Sequence, residues 1–459
     1  MLRSFWILLA MLPVLAVQAQ EEVAWPPALK GAKNGTVVLE GKDLLQTPES
    51  VATQLKEGKI VEFDVAKAAP RVELALHDEL GTNAVTRRLW SSWGDIGVAS
   101  DGRVYCAIGD HGDEKGGDAR CFIYSWDPQE SRLKQIVDMN EVVPPRKGQP
   151  AWSKVHAKVD EGPDGKIYFS CTLNDGNRAS QEEYGFNEHL PGGQLYCYDP
   201  SSGKTSVFAN LPPRRCTATS LLDSERNIWW CNLEAGEGNA LWGLDLTTKK
   251  PVYQGKDKSV AFNRAFALLS DGNILYNGET SFHRLDPAKE TITTTKTSIP
   301  DSPGMRCATH QSKAGLVYGI SHKTNHLFSY DPKNDKLTML GPSWLAGEYT
   351  ADCELSPDER FVYYMPGSHG KAWQSGTPVI QYEIATNRRK VLAFLAPPCD
   401  KQYGYVPAGT YGVELSKDGG TLFVNFNGHA SDGQRPAKMK PIGFGLTSFA
   451  AIHIPASER

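Results

Sequence analysis

Asp101-Gly102-Arg103-Val104-Tyr105, Asp164-Gly165-Lys166-Ile167-Tyr168 and Asp271-Gly272-Asn273-Ile274-Leu275 are three copies of one element, a tight Asp-Gly turn running into an apolar strand. Weaker copies begin at Glu225, Ala314, Asp358 and Asp418, so the seven recur after 63, 61, 46, 43, 44 and 60 residues. A propeller blade of four antiparallel strands takes roughly 40–50 residues, and the longer intervals leave room for loop insertions. The second half of the repeat is legible too, in Phe122-Ile123-Tyr124-Ser125-Trp126-Asp127-Pro128, Leu195-Tyr196-Cys197-Tyr198-Asp199-Pro200 and Leu327-Phe328-Ser329-Tyr330-Asp331-Pro332. Each alternates apolar and polar residues and then turns, which predicts a third strand, a turn and a fourth strand. The predicted fold is an all-β, seven-bladed β-propeller.

Working outward, residues 1–19 read as a signal peptide: Arg3, an apolar run from Phe5 to Val17, and Val17-Gln18-Ala19 before the cleavage point. The run is too short to span a bilayer, so a secreted or periplasmic protein is expected. Residues 20–89 form an N-terminal extension and residues 90–459 the propeller. The extension holds one helix, capped by Thr47, with Pro48 in its first turn and Gly58 at its end. Ile60–Val65 and Arg71–Ala75 follow as two outer strands of one blade. An open ring would expose sheet edges, so Phe449–Ile454 is the expected C-terminal partner of this segment. An eighth blade results if the N-terminal pair stands alone.

Nine cysteines in an exported chain permit disulfides, and Cys216 and Cys231 flank the Asp223–Arg226 turn symmetrically. Small buried thiols are the competing reading. No Cys-x-x-Cys occurs, which removes zinc-ribbon, thioredoxin and c-type haem readings. A net charge of -4 and no basic run interleaved with aromatics argue against a nucleic-acid partner. Gly-x-Ser-x-Gly, P-loop and His-Glu-x-x-His motifs are also missing. A monomer binding a carbohydrate or small-molecule ligand is expected.

In a propeller the loops entering the first strand and leaving the second share one face, where the channel opens. Stepping back eight residues from each turn gives Trp93, His156, Thr217, Asn263, Arg306, Thr350 and Thr410. Arg214, Arg215, Arg264, His310, Glu348, Tyr349, Asp352, Tyr405 and Tyr411 lie beside them. The second-strand exits add Asp110, His111, Asp113, Asn174, Asp175, Glu234, Glu279, His322, His369, Asn427 and His429. His156 with Arg215, Arg306, Tyr349 and Tyr411 supplies the types that uronic-acid elimination needs: a base, a cation for the carboxylate and an acid for the leaving oxygen. Trp93, Asn263, Arg264, His310 and Asp352 are the candidate ligand contacts. His111, His322, His369 and His429 are candidate metal ligands, and Mn, Zn or Ca is the cofactor such a rim would take, Ca through Asp110, Asp113, Asp118 and Asp175. Glu234, Glu279, Glu348 and Asp352 leave a paired-carboxylate glycosidase open. A non-catalytic binding propeller is the alternative, with Trp93, Trp344 and Trp373 as its rim.

Glu161-Gly162-Pro163-Asp164-Gly165-Lys166-Ile167-Tyr168-Phe169 resembles the blade motif shared by streptogramin lyases and the gluconolactonase group. That resemblance implies the fold. Gluconolactonase-like enzymes place a metal-bound Glu at an inner-strand entry, whereas Glu161 belongs to the opposite hairpin turn. By residue types the His/Arg/Tyr set also resembles the propeller polysaccharide lyases, including ulvan and oligogalacturonate lyases. This second resemblance implies a lyase acting on an acidic sugar, with His322, His369 and His429 matched by type to a manganese site.

Overall fold

The computed structural model describes residues 25–81, 90–110, 119–144, 146, 151–172, 192–234, 240–255, 265–278, 280–300, 304–345, 348–431 and 444–459. Seven sheets, each built on four antiparallel strands, surround one channel. Blade 1 runs from Gly97–Val98 through Val104–Gly109 and Cys121–Asp127 to Arg132–Asp138. In blade 2 the inner strand comes in two pieces, Lys154–Val155 and Asp160–Glu161, which both pair with Ile167–Thr172. Blades 3, 4, 5 and 6 begin at Cys216, Phe266, Met305 and Cys353, and blade 7 at Tyr405. The count is seven because the N-terminal strands join existing blades.

The two N-terminal strands expected together go to different blades. Asp64–Val65 lies parallel to Arg388–Phe394 as a fifth strand of blade 6. Arg71–Leu76 instead pairs with Ser448–His453 of blade 7, and Thr36–Leu39 adds a strand outside it. Between them, Glu458 accepts bonds from the backbone N–H groups of Lys67 and Ala68 at 2.7 and 3.0 Å, which pins the crossing. Pro70 then ends any continuous strand, since it lacks an N–H and fixes its own φ. The helix spans Glu49–Lys56 with Pro48, not Thr47, at the cap and no side-chain cap bond. Gly58 follows it in the left-handed region at φ 66°.

Blades stack through aromatic side chains: Trp90, Trp126, Trp152, Trp229, Trp230 and Trp344 are all essentially inaccessible. Trp126 of blade 1 lies 5.2 Å from Phe449 of blade 7, centroid to centroid. Trp344 packs against Phe63 and is core, not rim. At Gly109, a Cβ would meet the Ser153 carbonyl at 1.7 Å, so only glycine lets blade 1 approach blade 2 this closely. The face opposite the channel mouth carries a repeated latch. Glu161 accepts from the Ser100 N–H and hydroxyl, Gln311 from those of Ser270, and Glu359 from the Lys313 N–H. Each links one blade's first turn to the next, and this is the role of Glu161.

All nine cysteines are free and buried. Cys231 pairs in register with Ser220 and Cys216 with Glu234, so the expected Cys216–Cys231 facing does not occur. No helix among the described residues is long and apolar enough to cross a membrane.

Ring closure makes the strand Arg71–Leu76 sensitive to truncation. Leu74→Ala, at a position with no exposure, should lower the unfolding free energy by ~2–5 kcal/mol. Val207→Ala, on an exposed outer strand, should stay within about 0.5 kcal/mol. Urea denaturation of both variants checks the contrast.

Candidate functional site

Side chains two apart on a strand share a face, so each inner strand aims alternate residues into the channel. Trp93 and Asp95 come from blade 1, His156 and Lys158 from blade 2, Arg306 and His310 from blade 5, Asp352 and Glu354 from blade 6, and Tyr411 and Glu414 from blade 7. All line one cavity of about 280 Å³. Of the predicted residues, Trp93, His156, Arg306, His310, Asp352 and Tyr411 therefore meet. Thr217, Thr350 and Thr410 do not reach the cavity. Bulges at Thr217/Thr219 and Thr410/Gly412 change the alternation there. Thr217 bonds Ser170 between blades, and Thr410 bonds the Gly412 and Asn425 carbonyls.

The mouth is aromatic and cationic. Arg306 is 8% exposed, and its guanidinium lies over the rings of Tyr349 at 5.0 Å and Tyr411 at 5.7 Å. Its hydrogen bonds are long, 3.4 Å to the Ala351 carbonyl and 3.5 Å to the Tyr349 hydroxyl, and it has no carboxylate partner among the described residues. Burial works against its charge, and the two tyrosine oxygens offset that effect. The Tyr349 hydroxyl donates to that of Tyr411 at 2.7 Å. His369 packs on Tyr349 at 4.3 Å and Tyr411 at 5.9 Å, and His322 lies 5.7 Å from Tyr349 on another side. Burial first, and then the charge of Arg306, lower the His322 pKa, so its imidazole is neutral at pH 7. Trp93 closes the group, 5.0 Å from Tyr411, with the Lys154 ammonium 5.8 Å from its ring.

Below the mouth is a throat that the sequence reading passed over. Lys158 Nζ sits 2.5 Å from Glu414 and 3.2 Å from Asp95. Asp95 shares a hydrogen bond with Asp352. Asp352 in turn accepts from the Cys353 and Val413 N–H groups at 2.9 and 2.7 Å. Burial alone would depress the lysine, but Asp95, Glu414, Glu354 and Asp160 hold it well above its ordinary range. Burial raises Asp95, Glu354 and Glu414 in turn, and Asp160 is pushed up to about 7 by burial and by Asp95 and Glu414. These residues follow the mouth residues at two-residue spacing, a signal readable in Trp93/Asp95, His156/Lys158/Asp160 and Asp352/Glu354.

Other candidates lie elsewhere. Arg215 is half-buried outside the cavity lining. His429 bonds its own neighbour's carbonyl and meets Trp373 at 6.0 Å, away from His322 and His369. Glu348 is buried against Ser375, and burial raises it to about 7. Asp110 accepts the Arg120 N–H, a local contact. Asn263, Arg264, His111, Asp113, Asp118, Asn174, Asp175, Glu279, the Glu234 side chain and the 1–19 leader lie outside the described residues. Among the described residues no three His, Cys, Asp or Glu are placed to hold one metal ion.

No protein-family model matches the chain, and no curated protein matches it. Among solved structures it is similar to a catalytically inactive variant of virginiamycin B lyase from Staphylococcus aureus, crystallised with quinupristin. The identity is 11%, the TM-score 0.51, and the match covers 83% of this chain and 99% of that one. A crystal structure of the mitotic checkpoint complex also matches, at 9% identity and TM-score 0.49, over 96% of this chain and 99% of that one. The first likeness shows the seven-bladed fold that the blade motif implied.

The throat gives a pH signature with a definite sign. Asp160 binds its proton more tightly folded, at about 7, than unfolded, near an ordinary Asp value of about 3.9. Its contribution is therefore fully present below about pH 4 and is lost as pH rises through 7. Asp160→Asn should raise Tm at pH 8 and flatten the fall in Tm between pH 5.5 and 8, measured by thermal melts in matched buffers.

Proposed function

We propose that the channel mouth binds a carboxylate-bearing ligand and that the protein is a lyase acting on an acidic sugar. The buried, carboxylate-free guanidinium of Arg306 carries this reading. Buried charges are normally paired, and a guanidinium facing a cavity is suited to a planar carboxylate. Arg306 and His156 stand on blades 5 and 2, the greatest separation around a ring of seven, so a ligand held by one is presented to the other.

Elimination α to a carboxylate fits these groups. Arg306 neutralises the carboxylate and the negative charge that develops on it as the α-proton leaves. His156 takes that proton, the C–H electron pair becomes the new C=C bond, and the bond to the leaving oxygen breaks. Tyr411, in its hydroxyl pair with Tyr349, returns a proton to that oxygen. The similar solved structure is named as a lyase, which supports a reaction of this class on this frame without indicating a substrate. Export through the 1–19 leader is part of the same proposal, since acidic polysaccharides are extracellular polymers.

The test is ultraviolet absorbance of unsaturated uronate during incubation of the purified protein with pectate, alginate, ulvan and glycosaminoglycans. A rise is expected on at least one, reduced about 10²-fold or more by His156→Ala, the scale of a lost general base. Arg306→Ala should lose activity and Arg306→Lys recover part of it. Loss or persistence of the rise with chelator decides whether a metal takes part. No rise on any polymer, with uronate binding intact, would favour the non-catalytic binding propeller.

A further inference from the structure

The loop from Met365 to Thr377 joins the second and third strands of blade 6 and lies on the mouth face, where it supplies His369. Four residues later comes Trp373, 44% exposed and the largest of the exposed large hydrophobic residues described. Single exposed apolar residues are ordinary, but an indole held rigidly on the mouth face offers a flat surface for stacking. Loop disorder does not account for the exposure. Ala372 is fully buried beside it, Ser375 donates to Glu348 at 2.9 Å, and Thr377 donates to the Pro407 carbonyl at 2.5 Å. At the loop's other end, the Ser368 hydroxyl accepts the Ala351 N–H and the Ser368 N–H bonds the Tyr349 carbonyl. The turn is fixed at both ends, and its indole stands outward against the edge of His429 from blade 7.

The size of the cavity explains why a surface outside it matters. About 280 Å³ is below the usual range for a drug-sized ligand, so it admits one small unit. The throat offers an acidic ligand no free cation among the described residues, its lysine being held by Asp95 and Glu414. A longer ligand has to leave over the mouth, and aromatic side chains mark the way over blades 6, 7 and 1. Trp93, His369 and Tyr411 are in mutual contact, with ring centroids 5.0, 5.9 and 6.3 Å apart, Trp93 also meets Phe444 at 5.4 Å, and Trp373, four residues after His369 on the blade 6 loop, meets His429 at 6.0 Å.

We infer that Trp373 and His429 form an outer subsite that stacks a sugar ring of an oligomeric uronate whose terminal or internal unit sits at Arg306. Lys371, two residues before the indole and exposed, supplies a cation for that ring's carboxylate. The inference rests on the uronate reading above and adds to it that the ligand is a chain, gripped at more than one unit.

Isothermal titration with paired monomers and tetramers of galacturonate, glucuronate and mannuronate tests it. The wild-type protein should bind one tetramer about tenfold or more tightly than its monomer, the scale of one stacked aromatic contact. Trp373→Ala should remove that advantage while leaving monomer affinity unchanged, and Trp373→Phe should restore part of it. Arg306→Ala should weaken monomer and tetramer alike. If Trp373→Ala leaves tetramer affinity intact while Arg306→Ala abolishes it, the outer subsite fails and the uronate reading stands. If Arg306→Ala changes neither, or no uronate binds, the uronate reading falls and the subsite with it.

Discussion

A ring of sheets holds together only if its last blade is completed, and here the chain completes it with residues from its opposite end. Blade 7 takes its two inner strands and its third from the C-terminal region and its fourth and fifth from Arg71–Leu76 and Thr36–Leu39. Six residue pairs join Arg71–Leu76 to Ser448–His453 in register, so an edge that would otherwise template aggregation is covered. The seam with blade 1 is sealed by side chains: Asn427 exchanges both of its amide bonds with the Ser92 backbone, and Asn425 donates to the Ser92 hydroxyl and the Ala107 carbonyl. The position of every channel residue depends on that closure.

The throat is a second tie between the ends. Lys158 of blade 2 meets Asp95 of blade 1 and Glu414 of blade 7, and Asp352 of blade 6 holds the Val413 N–H of blade 7. Four blades on both sides of the closing seam are therefore joined through one ammonium and the carboxylates around it. Removing charges from water is costly unless each is paired, and one lysine does not neutralise Asp95, Asp160, Asp352, Glu354 and Glu414 together. The proton uptake implied by the raised carboxylates lets this tie persist without a second cation.

The repeat was legible in the sequence because its turns are chemically local. Gly102, Gly165, Gly272, Gly315 and Gly419 all occupy the positive-φ positions that their turns require. The C-terminal closing strand was legible as well, because an unpartnered apolar strand at the end of a ring has one evident place to go. The site was legible at His156 and Arg306, which reach the cavity although one follows a break in its inner strand and the other sits at a register shift, and was misplaced at Thr217 and Thr410, where a bulge changes which side chains face the channel. Bulges depend on how neighbouring strands settle, and no local residue type announced these two. The division of Ile60–Val65 from Arg71–Ala75 was hidden for a similar reason. It depends on Glu458, almost four hundred residues away, holding the Lys67 and Ala68 amides.

Charge layering along the channel makes the mouth selective in orientation as well as in charge. At an effective dielectric of about 20, two unit charges about 4 Å apart interact by ~4 kcal/mol. An incoming carboxylate gains an attraction of this kind at Arg306, with Lys154 nearby over Trp93, and farther in meets carboxyl groups and a lysine already held by Asp95 and Glu414, which offer it no free cation among the described residues. Its lowest position is therefore at the guanidinium, level with the tyrosine hydroxyls and His322. The neutral imidazole of His322 fits the same arrangement, because a protonated one would add a second cation beside Arg306 and broaden the minimum. The acidic throat thus serves the cationic mouth: with its lysine already held, it fixes where an anionic unit stops.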